Sequence, residues 1–248
     1  MQRRRGIDWL HRTAPETRVK SLKILVVDDH PLVRDAMVNL LAGVAAEVTI
    51  LEAADCPGAL DIARAQPDID IVVLDLNLPG TRGFEALEQF RREQPAMPVV
   101  ILSALHDRQT VLQAIKRGAM GFIPKVAVKD VIINATRLVL AGGVYLPPEA
   151  IVEGERGGNE VIDAAAPRSL ADLSLTARQG QVLALIMRGR SNKEICRTLG
   201  LAERTVKVHV TAVLTALRVS SRTQAVIAAA QLGLNADELF ATDASMNR

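Results

Sequence analysis

The chain has 248 residues, 49% of them apolar, a formal net charge of +2 and two cysteines. That length suits one large domain or two modest ones, and no run approaches the roughly 18 apolar residues that span a bilayer, so no membrane partner is expected. Cys56 and Cys196 lie far apart, without disulfide or metal-site spacing, which points to a reducing, cytoplasmic setting.

The opening MQRRRGIDWLHRTAPETRVK is basic and polar, with no apolar segment behind it to serve as a secretion signal. Residues 1–20 therefore read as a flexible extension, with Arg3 to Arg5 and Trp9 as a mobile start. From residue 21 to 141 short β-branched runs alternate with helical patterns. LKILVV, EVTILEA, IDIVVLDL, PVVILSA and GAMGFI are the strands, and a helical segment follows each. Continuously apolar strands in such an alternation predict a five-stranded parallel sheet covered by helices on both faces, an α/β doubly wound domain. In that architecture the loops at the carboxyl ends of the strands carry the site.

Residues 142–170, with GGVYLPPEA, EGERGGNE and AAAPRS, lack sustained periodicity and read as a linker. Residues 171–235 are all-α, with helices expected at 177–188, 192–199, 203–217 and 222–232. Residues 236–248 offer no packing pattern and are expected to form a mobile tail. Charge divides along the same lines: residues 22–141 hold 12 Lys and Arg against 15 Asp and Glu, whereas residues 171–235 hold 9 against 3. A basic small domain attracts a phosphate backbone, although a solvated basic face has the same composition.

Asp28 and Asp29 end the first strand, Asp75 ends the third, Ser103 follows the fourth and Lys125 the fifth. If strands one and three are neighbours, three carboxylates converge. Two unit charges 4 Å apart repel by about 4 kcal/mol at an effective dielectric near 20, so the cluster asks for a cation. Oxygen-only ligands suit Mg2+. Singly, each residue has a plainer role: Asp29 as cap of a helix opened by Pro31, Ser103 and Lys125 as ordinary loop residues. Five suitable groups at the ends of four core strands favour a site.

The series VVDDH, VVLDLNLPG, VVILSA and GFIPK resembles the receiver domain of two-component response regulators, a flavodoxin-like fold. The resemblance implies that Asp75 accepts a phosphoryl group from a sensor histidine kinase, as an acyl phosphate. It also implies Mg2+ held by Asp29, Asp75 and the backbone carbonyl of Asn77, with Asp28 acting through water and Lys125 neutralising the phosphoryl oxygens. Ser103 and Phe122 match the family's switch pair, in which the hydroxyl turns toward the phosphoryl group and the aromatic rotates inward. Phe122 is alternatively a plain core aromatic.

The segment LTARQGQVLALIMRGRSNKEICRTLGLAERTVKVHVTAVLTALRV resembles the helix-turn-helix of the LuxR/NarL type. Val206, Val210, Val213, Leu214 and Leu217 form a buried stripe, leaving Lys207, Val208, Thr211 and Thr215 facing outward. The resemblance implies a recognition helix in the major groove of double-stranded DNA, with Lys207 on a guanine edge or a phosphate and Val208 on a thymine methyl. Lys193, Arg204, Thr205 and His209 are expected nearer the phosphates, while His209 is equally readable as a packing residue. Departures from the usual pattern fall at Gln179, Gln181 and Ala202. Ala225, Val226 and Ala229 on the last helix are expected to pair two copies on a two-fold site, against the alternative of burial within one copy.

The function expected is a non-enzymatic, phosphorylation-switched transcription factor, homodimeric when phosphorylated. A different class of reading is a protein-binding adaptor or phosphate sink with a repurposed helix-turn-helix. A metal-dependent phosphatase is disfavoured because Asn77 stands where a second catalytic carboxylate would be needed.

Overall fold

The computed structural model describes residues 21–150, 173 and 175–241. The readings of residues 1–20 and of most of the linker fall outside these. Five parallel strands, β1 (Leu22–Val27), β2 (Val48–Ala53), β3 (Ile71–Asp75), β4 (Val99–Ser103) and β5 (Gly121–Pro124), assemble in the order β2-β1-β3-β4-β5. They alternate with helices α1 (Pro31–Leu41), α2 (Cys56–Ala65), α3 (Glu85–Glu93), α4 (Arg108–Lys116) and α5 (Lys129–Leu140).

The period-2 geometry of a strand divides its side chains between two cores. Leu25, Val27, Val72, Leu74, Val99, Ile101 and Phe122 point to the layer of α2, α3 and α4. Ile24, Val26, Ile71, Val73, Val100, Leu102 and Ile123 point to α1 and α5. Each such side chain, wholly withdrawn from water, contributes about 1.5–3 kcal/mol. Asp55 and Asp107 cap α2 and α4, accepting from Gly58 N at 2.7 Å and Thr110 N at 3.0 Å.

The chain keeps packing on the receiver-like sheet beyond residue 141, where the linker was expected to begin. Tyr145 forms a β-bridge with Gly121, Leu146 packs against the core, and Ala150 in a 3-10 turn (Pro148–Ala150) is buried.

The second module comprises α6 (Ala177–Met187), α7 (Asn192–Leu199), α8 (Glu203–Ala216), α9 (Arg222–Gln231) and α10 (Ala236–Ala241). Thr176 with Gln179, and Ser191 with Glu194, form capping boxes that satisfy both the cap and the third-residue amides. Gln179 thus does the work of the more usual Glu. Gly200, at φ +64°, closes α7 in the left-handed conformation that a residue with a Cβ resists. Helix α8 starts at Ala202 with no side-chain cap. The tail expectation is corrected at residues 236–241: α10 docks on α6 and buries Leu239. No helix among the described residues is long and apolar enough to cross a membrane.

Candidate functional site

β1, β3, β4 and β5 end along one edge, so the groups that follow them meet. Asp28 and Asp75 are buried, Asp29 is half-buried, and their carboxylates lie with a His30 nitrogen inside a cluster whose ligand atoms are all within 4.8 Å of one another. Asp29 does not cap α1: the cap position belongs to His30, whose side chain makes no cap bond. Pro31 removes one amide that would need capping and leaves the Asp29 carboxylate for the pocket. Its Oδ1 lies 2.8 Å from His30 Nδ1.

The Lys125 ammonium sits 2.8 Å from both Asp28 Oδ2 and Asp75 Oδ2. Its backbone amide donates to Ser103 O at 2.8 Å, which fixes the root of the side chain at the β4–β5 edge. Burial alone would lower the lysine, but the hydrogen bonds and charges of Asp75 and Asp28 outweigh it and hold the ammonium above its ordinary value. Among the described residues one ammonium thus pairs with two of three converging carboxylates. Asp75 Oδ1, by contrast, is buried with no hydrogen-bond partner. An orphaned buried carboxylate oxygen costs free energy unless something cationic reaches it. This all-oxygen set at a strand edge fits Mg2+, and Asn77, exposed beside it, has a backbone carbonyl to offer.

The expected switch pair sits on β4 and β5. Phe122 is fully buried in the core beside α4, so its ring already points inward, and Ser103 Oγ accepts from Leu105 N at 3.2 Å.

On the second module Val206, Val210, Val213 and Leu214 are buried as their spacing predicts, and Val208 is 60% exposed. Arg204 and Thr205 are exposed, while Lys193, Lys207, His209 and Thr211 are half-buried. For the two lysines the cause lies in the other module. Lys207 Nζ donates to the carbonyls of Pro67 at 2.5 Å and Ile69 at 2.9 Å. Lys193 Nζ pairs with Asp70 Oδ1 at 3.0 Å. Asn192 Nδ2 donates to Ala96 O at 3.4 Å. A cleft of about 340 Å3 runs between Arg204, Val208 and Thr211 on one side and Pro67 and Met97 on the other. The loop before β3 therefore occupies the lysines that the sequence assigned to DNA. Sequence reasoning missed Pro67, Ile69 and Asp70, because a lone acid opening a strand carries no local signal.

Residues expected at a dimer face are covered within one copy. Ala225 and Ala229 are wholly buried, and Val226 packs against the core of its own module. That side of α9 is spent within one copy; Ile227, at 52% exposure, faces outward.

Residues 24–137 match the family described as "Response regulator receiver domain", and residues 173–229 match "Bacterial regulatory proteins, luxR family". The chain is 42% identical over 217 residues to the glycerol metabolism activator of Pseudomonas putida, covering 86% of this chain and 97% of that protein. It is 32% identical over 205 residues to the nitrate/nitrite response regulator protein NarL of Escherichia coli K12, covering 82% and 93%. Among solved structures, a LuxR-family two-component response regulator from Aurantimonas sp. SI85-9A1 superimposes with a TM-score of 0.50 at 31% identity, over 53% of this chain and 94% of that one.

Proposed function

The chain belongs to the transcriptional response regulators that join a receiver domain to a luxR-family DNA-binding domain, and from that membership we propose that Asp75 is its phosphoacceptor and that the seam between the modules is its off state. It is a two-component DNA-binding regulator. The observation that carries the assignment to Asp75 is the orphaned Oδ1 of a buried carboxylate whose other oxygen is held by Lys125. Asp75 attacks the phosphorus of a phosphohistidine on the kinase; an O–P bond forms, the P–N bond breaks, and its electron pair returns to the imidazole. Lys125 stays within reach of the phosphoryl oxygens and offsets their charge. Asp28, Asp29, Asp75 and the carbonyl of Asn77 would hold Mg2+, which supplies further charge neutralisation. Ala104, small and exposed at the rim, leaves the acceptor open.

In the off state Lys193 and Lys207 cannot reach phosphates, because the receiver holds them. Phosphorylation shifts the population toward separated modules, in which these lysines, with Arg204, Thr205, Val208, His209 and Thr211, face double-stranded DNA. Two copies then occupy two half-sites as a homodimer, using a surface other than the buried side of α9. The absence of any membrane-crossing helix among the described residues supports a cytoplasmic setting, and the family's role supports a non-enzymatic regulator.

Acetyl phosphate and Mg2+ added to the purified protein should give one phosphoryl group per chain by intact mass, lost with EDTA and in Asp75→Ala. The modified protein should bind operator DNA more tightly by fluorescence anisotropy. An unmodified wild-type chain, or an equally modified Asp75→Ala chain, overturns the assignment.

A further inference from the structure

Outside these two sites, uncompensated positive charge concentrates at a second part of the seam, where the α3 and α4 edge of the receiver meets the turn between α8 and α9. Arg91, in the last turn of α3, is only 5% exposed, yet no carboxylate among the described residues pairs with it. Its guanidinium donates to the backbone carbonyls of Pro95, at 3.3 Å, and Met97, and its buried Nε has no partner. Burial pulls it down to about 10, so it remains a cation at neutral pH.

Arg92 beside it is exposed and makes no ion pair among the described residues. Arg117 is engaged by Glu88, with its guanidinium 5.0 Å over the Phe84 ring. Three guanidiniums thus share one carboxylate around a cleft of about 330 Å3, closed on its far side by Ser220 of the DNA-binding module. Gly118, at φ +101°, is bare for a reason: a Cβ there would lie 2.9 Å from both Arg91 Cδ and Ser221 Cβ, so the two modules close over it. Solvated surface arginines need no counter-ion, but a buried one without an acid partner is costly. The volume matches a small-molecule site, and planar guanidinium forks match phosphoryl oxygens in pairs.

We propose that this cleft binds a small phosphorylated anion, its oxygens taken by Arg91, Arg92 and Arg117 from the receiver and by Ser220 from the helix-turn-helix. Because both modules line it, the ligand favours the closed arrangement and, by reciprocity, weakens DNA binding. That consequence rests on the off-state reading above; the site itself does not.

The probe is inorganic pyrophosphate, titrated calorimetrically into the full chain in EDTA, so that the acidic pocket takes no part. Saturable binding to one site is expected, weakened at least tenfold by Arg92→Ala and by Arg117→Ala, both exposed positions, and unchanged in Arg204→Ala, an exposed position on the DNA face away from the seam hydrogen bonds. At saturation, operator affinity of the unphosphorylated protein should fall severalfold in the wild type and not in the Arg92→Ala, Arg117→Ala double variant. Absent binding, or binding indifferent to the arginines, overturns the site. Binding lost in Arg204→Ala overturns it too, by putting the anion on the DNA face. Binding that follows the arginines while DNA affinity stays constant upholds the site and refutes the off-state reading instead.

Discussion

The acidic pocket and the basic recognition face solve one problem in two ways. Each holds side chains whose charge is matched to something outside the protein, and each satisfies them meanwhile with an internal surrogate. In the pocket the surrogate is Lys125, rooted on the same sheet as the acids it pairs with. On the recognition face it is the carbonyls of Pro67 and Ile69 and the carboxylate of Asp70, between 123 and 140 residues away in sequence from the lysines they hold. The first surrogate can yield by a side-chain rotation; the second yields only if the modules part. Under the proposed mechanism a local charge event is coupled to a global rearrangement.

The largest effect is expected in the pocket. Lys125→Met removes the one cation facing Asp75 and should slow phosphoryl uptake from acetyl phosphate about 100-fold, the usual scale for losing a charge-stabilising donor. Initial rates by mass spectrometry check this, and operator affinity of the unphosphorylated protein should not move. If both change together, the two regions do not act separately.

The seam is tested by Asp70→Asn. The amide oxygen still accepts from Lys23 N, as Asp70 Oδ2 does at 2.9 Å, so β3 stays in register while Lys193 loses its charge partner. Operator affinity of the unphosphorylated protein should rise about tenfold, equivalent to about 1.4 kcal/mol. Gly142→Ala should act in the same direction by a steric route, since a Cβ there would lie 2.3 Å from Gly189 O. A chain in which neither substitution changes anisotropy titrations has no latch at this seam.

A smaller change, and a sharper one, is expected at Lys207. With the seam already open by phosphorylation, Lys207→Ala should weaken DNA binding by about 1 kcal/mol and reduce the salt slope by about one unit if the ammonium meets a phosphate. An unchanged slope with relaxed sequence preference would assign it to a base edge instead.

Legibility in the sequence followed the same division between local and distant. Both cores announced themselves, because strand and helix periods sort Ile24 from Leu25 and Val206 from Lys207 without reference to anything distant. The pocket was legible for the same reason, since its acids and Lys125 all sit at strand ends. The seam was not: nothing near Lys207 in sequence names Pro67 or Ile69 as its acceptor. Ala225 and Ala229 stayed open to two readings, because an apolar helix face looks alike whether its own module or a second copy covers it. Leu239 was missed because a six-residue helix is too short to display a period. Tyr145 and Leu146 were read as linker because their Gly and Pro neighbours dominate composition while two side chains do the packing.

The smallest predicted effect lies entirely inside the basic module. Helix α8 begins at Ala202 in extended conformation, φ −68° and ψ 149°, the geometry from which a serine hydroxyl reaches an amide of the first turn. The neighbouring helices show what is absent: Ser191 accepts from Glu194 N at 3.3 Å and Ser221 from Gln224 N at 3.3 Å. Ala202→Ser should therefore stabilise the module by about 0.5–1 kcal/mol, seen calorimetrically as an upward shift of its transition with the receiver's unmoved. Because Ala202 touches neither the acids nor the seam lysines, phosphoryl uptake and the Asp70→Asn effect should both be preserved. A change in either would mean that the start of the recognition helix, and not the lysines along it, sets the balance between closed and open.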